Sequence, residues 1–185
     1  MSQAPDPRSI AVREMDRVAD RPGVAALDTS FETATVFDVV VTPRRIELIE
    51  RALATPQVKR YPIEEVFAAW ASWDIGFVAF VADDERISGF AAVEYESWHR
   101  RLVLWHLYVA PDRRRQGIAR AMLARVEQHG RDVGALRVWL ETSNVNVPGI
   151  AAYAGLGYAL CGADTTHYEA TPAAAESAIY LSKLL

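Results

Sequence analysis

The chain has 185 residues, of which 51% are apolar and 24% charged, and its formal net charge is −4. Those values describe one ordinary globular domain with enough material for a single core, and they exclude a disordered or low-complexity chain. The acid excess argues against general nucleic-acid binding, the lone Cys161 excludes a disulfide framework or cysteine-rich metal site, and no apolar run is long enough to span a membrane.

Residues 1–9, with Pro5 and Pro7, read as a loose terminus, and residues 10–185 as a single domain. No signal-peptide pattern opens the chain, so the expected compartment is the cytoplasm. Ile10 to Met15 alternates weakly and reads as a first strand. Pro22 to Leu27 makes one or two helical turns, with Asp20 placed to cap them. Thr35 to Thr42 is rich in β-branched residues and reads as a strand; Pro43–Arg44–Arg45 turns the chain, and Ile46 to Ala52 pairs back. Between Thr55 and Trp73 the apolar residues Ile63, Val66, Phe67 and Trp70 fall at helical offsets, which predicts a helix. Phe77 to Ala82 and Ile87 to Tyr95 form a hairpin around the polar tip Asp83–Asp84–Glu85–Arg86.

Leu102 to Val109 adds another strand, stopped by Pro111, which supplies no ladder donor. A helix then carries Ile118, Met122, Leu123 and Val126 on one face and ends near Gly130 or Gly134. Leu136 to Glu141 is a strand, and Pro148 to Ala154 a short helix closed by Gly155 and Gly157. Tyr158 to Cys161 and Ala178 to Leu184 are the last strands. The sum is an α/β fold with a mixed, mainly antiparallel sheet flanked by helices. Strands at the C-terminal edge leave room for two copies to pair as a homodimer. Cys161 has no histidine or lysine beside it in sequence and is assigned to packing.

Between the strand ending at Val109 and the helix beginning at Ile118 lie Arg113, Arg114, Arg115, Gln116 and Gly117. A helix start presents free backbone N–H groups, and a glycine lets an anion approach them, so the loop suits a phosphate. The plain alternative is a basic helix start on a solvated face, and Arg113 is assigned to such a face.

The spacing Arg114–x–x–Gly117–x–Ala119 resembles the R/Q-x-x-G-x-G/A signature of the GCN5-related N-acetyltransferases. A second block, Asn146, Gly149, Tyr153 and Gly157–Tyr158, resembles that family's late motif, in the same order along the chain. Further stretches resemble the streptothricin (nourseothricin) N-acetyltransferases: Ala26–Leu27–Asp28–x–Ser30–Phe31, Trp98–x–Arg100–Arg101–Leu102, Trp139–Leu140–Glu141–x–x–Asn144 and Leu160–Cys161–Gly162–x–Asp164–Thr165. No correspondence covers Thr42 to Asp74. Where those enzymes carry an acidic pair in the central strand, this chain has Trp105 and His106, and Tyr108 replaces a further acid.

The resemblance implies acetyl-CoA as co-substrate, no metal, and a small-molecule amine as acceptor, with the β-lysine amine of a cationic antibiotic foremost. It implies that the diphosphate lies on Arg114, Arg115, Gln116, Gly117, Ile118 and Ala119, and that backbone groups of Leu107, Tyr108 and Val109 pair with the pantetheine arm. Tyr153 is then the general acid for the departing thiolate, and Asn146 bonds the pantetheine or caps the helix before Pro148. Two residues compete as base: His106, whose ordinary pKa near 6.5 suits the task, and Glu141 at its strand end. Strand alternation would send only one of Trp105 and His106 inward. Phe31, Trp98, Trp105 and Tyr168 are candidates to line an acceptor pocket, since aromatic rings bind ammonium groups; the plain alternative for each is core. Acetylation of another amine (a polyamine, an amino acid or a protein N-terminus) and a non-catalytic acyl-CoA-binding module stand as rivals.

Overall fold

Alternating and continuous apolar runs set out nine strands and three helices in the computed structural model, which describes residues 9–81 and 84–185. In chain order they are β1 (Ile10–Glu14), α1 (Arg21–Ala25), β2 (Phe31–Thr42), β3 (Arg45–Lys59), β4 (Ile75–Val81), β5 (Gly89–Glu96), β6 (Arg101–Val109), α2 (Ile118–Asp132), β7 (Arg137–Ser143), α3 (Val147–Gly155), β8 (Ala159–Asp164) and β9 (Ala178–Leu184). Residues 1–8 of the expected loose terminus and residues 82 and 83 of the expected hairpin tip lie outside the described residues. The described residues divide into two compact units: one contains residues 9–30, Arg60–Leu136 and Leu185, the other Phe31–Lys59 and Arg137–Leu184.

In the first unit β1, β4, β5 and β6 are antiparallel neighbours in that order. One face of these strands packs on α2 through Ile118, Met122, Leu123 and Val126, all buried as the 3.6-residue period requires. Each such side chain stabilises the unit by about 2 kcal/mol on leaving water. The other face holds a core of Val24, Leu27, Ile63, Val66, Trp73 and Phe90, against which Trp105 and Tyr108 pack. Trp73 donates its indole N–H to the Val66 carbonyl at 2.7 Å, so its one polar atom is satisfied inside this core.

In the second unit β2 and β3 form a long antiparallel hairpin, and β9 pairs antiparallel with both β7 and β8. Every pairing named here is antiparallel, in keeping with the fold class expected from the sequence.

Three expectations are corrected, and of the two ends offered for the second helix the later one holds. The predicted helix over Thr55–Trp73 is absent: residues up to Lys59 belong to β3, and only a short 3-10 turn, Ile63–Phe67, follows. Apolar residues three apart suit a 3-10 turn as well as an α-helix, which explains why Ile63 and Val66 are buried while Trp70 is 60% exposed. Pro56, which cannot donate, falls in a break of the β2–β3 register and does not end the strand. Helix α2 runs through Gly130, where a Cβ would collide with Leu185, and ends before Gly134, whose φ of +80° glycine adopts without strain. Asp20 makes no side-chain cap on α1; its carboxylate takes two bonds from Arg13, at 2.6 and 2.8 Å, and one from the Asp16 amide. Cys161 is exposed, not packed.

Candidate functional site

The loop from β6 to α2 is shaped by two left-handed residues, Arg115 at φ +61° and Gly117 at φ +91°. Gly117 is the residue before α2, and no side chain caps that helix start. The amides of the first turn, which have no partner within a helix, are therefore left to an incoming acceptor. The signature arginine is spent on the protein: Arg114 donates Nε to the Val109 carbonyl (3.1 Å) and Nη2 to the Ser30 carbonyl (2.6 Å). It fixes the loop to the end of β6. Arg113 is not the free surface charge expected of it, because it is half-buried and donates to Asp84 at 2.6 Å.

Leu107, Tyr108 and Val109 form the last turn of the ladder in β6, opposite Ala91, Phe90 and Gly89. Earlier in that strand the register slips: Ala92 stands opposite His106 and Val93 opposite Leu104, so Trp105 is an extra, bulged residue. Simple alternation fails here, and Trp105 and His106 share the face of Phe90 and Ala92. The Trp105 indole N–H donates to Glu94 Oε2 at 2.9 Å. His106 stacks on Phe90 at 6.3 Å between ring centroids, and its Nδ1 lies 3.2 Å from the Tyr108 hydroxyl. Its Nε2 is buried and meets no hydrogen-bond partner among the described residues. Burial lowers the His106 pKa to about 4, so the ring is neutral at pH 7 and a weak base. Trp98 stands 84% exposed, stacked on His99 at 3.8 Å, and is no part of the core.

The second unit carries the other expected residues. Asn146 precedes α3 and caps it, accepting from the Gly149 amide at 3.1 Å while its own amide donates to Thr142 Oγ1 at 2.9 Å. A Cβ at position 149 would collide with the Asn146 side chain, which accounts for the glycine of the late motif. Tyr153 lies half-buried on α3 with its ring edge-on to Tyr158, 5.6 Å away. Glu141 in β7 is largely buried and accepts from the Tyr168 hydroxyl. Desolvation raises its pKa, against the opposing pull of the Tyr168 bond and of His167 and Lys59. Phe31 opens β2 and is half-buried.

Three groups around Glu141 escaped the sequence reading. Lys59 pairs with Glu176 at 2.5 Å, and Glu176 also accepts from the Ser143 hydroxyl. Lys59 and Glu176 are 117 positions apart, and no spacing rule links them. Glu94 was missed for the same kind of reason: its contact with Trp105 depends on a register that the bulge alters. Among the described residues, no three His, Cys, Asp or Glu side chains gather as metal ligands, and no helix is long and apolar enough to cross a membrane.

Comparison with known proteins places these features in context. Residues 46–158 match the acetyltransferase (GNAT) family. The streptothricin acetyltransferase of Streptomyces lavendulae is 37% identical over 171 residues, 90% of either chain. The crystal structure of a nourseothricin acetyltransferase superposes with a TM-score of 0.85 at 36% identity, over 95% of this chain and 98% of that one. A Bacillus anthracis protein crystallised with acetyl coenzyme A superposes at 0.80 over 96% of this chain and all of its own; at 21% identity that likeness carries the fold.

Proposed function

The chain belongs to the acetyltransferase (GNAT) family, and from that premise we propose that it moves the acetyl group of acetyl-CoA directly to an amine of a small molecule, streptothricin in the first instance. The observation that carries this reading is the uncapped start of α2 behind the left-handed Gly117. A diphosphate is the anion that such a row of amides holds well, since the helix dipole and unpaired N–H groups act together. Arg115, Gln116, Ile118 and Ala119 contribute backbone to this cradle. Arg114 contributes by fixing it, through bonds to Val109 and Ser30.

The pantetheine arm adds to Leu107, Tyr108 and Val109 as a short extra strand would, and an N–H there steadies the oxyanion of the tetrahedral intermediate. Of the two candidate bases, the proposal favours Glu141. Burial weakens His106 as a base by lowering its pKa, whereas it strengthens Glu141 by raising its own. Glu141 takes the proton from the amine, directly or through water, and Tyr153 returns one to the coenzyme A thiolate. Asn146 holds the start of α3, on which Tyr153 rides. Cytoplasmic residence fits this chemistry, because the donor is a soluble thioester.

The test is release of free thiol from acetyl-CoA with a panel of amines that includes streptothricin, polyamines and amino acids. Turnover with a cationic small molecule, dependent on Glu141 and Tyr153, is the expected outcome. Binding of acetyl-CoA without turnover on any amine would replace the proposal with an acyl-CoA-binding module.

A further inference from the structure

Positions 105 and 106 of β6 carry no carboxylate, yet an acid stands beside them on the next strand. Glu94 lies in β5 on the face of Phe90 and Ala92, half-buried, and the bulged Trp105 reaches across to give its indole N–H to Oε2 at 2.9 Å. The neighbouring acids are otherwise engaged: Asp74 accepts from the Tyr95 amide at 2.9 Å, and Glu96 sits 3.1 Å from the His99 ring. The indole N–H that Glu94 receives is a neutral donor, which orients the carboxylate without cancelling its charge.

Its place along the strand gives this charge a use. With the diphosphate at Gly117 and the pantetheine arm on Val109 to Leu107, the thioester comes next, at the bulge. The acceptor must arrive from the other side, toward residues 101–105, where Glu94 stands opposite Val103. Resting on the acetyltransfer reading above, we infer that Glu94, held by Trp105, is a specificity-determining residue: its carboxylate binds a second positive charge of the acceptor. It thereby selects di- and polyamines over monoamines. A charge-assisted bond in a half-buried setting is strong enough to sort such substrates, whereas an exposed ion pair is not.

Glu94→Gln removes the charge and keeps an oxygen to receive the indole N–H, so the fold is spared. Steady-state kinetics would use linear monoamines and diamines of matched length together with streptothricin. In E94Q the KM for diamines and streptothricin should rise about tenfold, as loss of a hydrogen bond to a charged group implies. Monoamine KM, acetyl-CoA KM and kcat should hold. Trp105→Phe keeps a ring but drops the donor, and should raise the same KM values by a smaller factor. Equal KM changes for monoamines and diamines, or a fall in kcat at constant KM, would overturn the inference while leaving acetyl transfer intact. Failure of the wild-type chain to acetylate any amine would remove the acetyltransfer reading, and the inference with it.

Discussion

His106 in the first unit and Glu141 in the second are both largely buried titratable side chains, and burial pushes each toward its neutral form. Their surroundings differ. His106 has a phenyl ring on one side and a tyrosine hydroxyl at one nitrogen, with its other nitrogen unpartnered among the described residues. Glu141 has a tyrosine hydroxyl in contact and a lysine, an imidazole and a second carboxylate near enough to act on its charge. A group shut away among rings can only lose its proton. One set among mobile protons and opposed charges can exchange them, and that is what a catalytic base requires.

The comparison breaks most sharply at the bases themselves. Glu141→Gln should lower kcat about a hundredfold or more, and His106→Phe should leave it within severalfold. The reverse result in a thiol-release assay would exchange their roles. Tyr153→Phe should cut kcat on a similar scale, with the dissociation constant for acetyl-CoA unchanged by calorimetry; equal loss of both would deny Tyr153 its part as acid.

Stability against pH separates the two residues by sign. His106 has a folded pKa of about 4, below its ordinary 6.5, so as pH falls the unfolded chain takes up the proton first. Its contribution is complete above pH 6.5 and lost between there and pH 4, to the extent of about 3 kcal/mol. Denaturant melts of His106→Phe should lack this acid limb. Glu141 runs the other way: its folded pKa is raised, so the charged carboxylate costs stability at neutral pH and the cost disappears in acid. Glu141→Gln should accordingly melt higher than wild type at pH 7 and lose that advantage as pH falls.

Two smaller effects sharpen the contrast between a polar group with a structural task and one without. Asn146→Ala removes the cap of α3 and should cost about 1 kcal/mol by chemical denaturation. Arg51 pairs with Asp38 at 2.7 Å on the exposed hairpin, and Arg51→Ala should leave the denaturation midpoint where it is, since water screens such a pair.

Local pattern carried much of the fold. The period of Ile118, Met122 and Val126, the β-branched run at Thr35–Thr42 and the Asn146–Pro148 helix start each describe a structure made by neighbours in sequence, and each is present. The predicted helix over Thr55–Trp73 failed because a three-residue offset fits two helical forms, and because β3 gains its length from its partner strand. The candidate site divides in the same way. Gly117 and Asn146 were legible, since a glycine before a helix start and a helix cap are local devices. The Trp105–Glu94 bond was not, because it follows from a shifted register, and neither was the Lys59–Glu176 pair, formed over 117 positions.

Pairing resumes in phase on both sides of Trp105, so a shorter strand lacking it would still send Leu104, His106 and Tyr108 to the faces they occupy now. Nothing in the hydrophobic pattern demands a ninth residue there. What the insertion supplies is a bend and a local break in the ladder to β5, features that a perfectly regular strand has no means of offering.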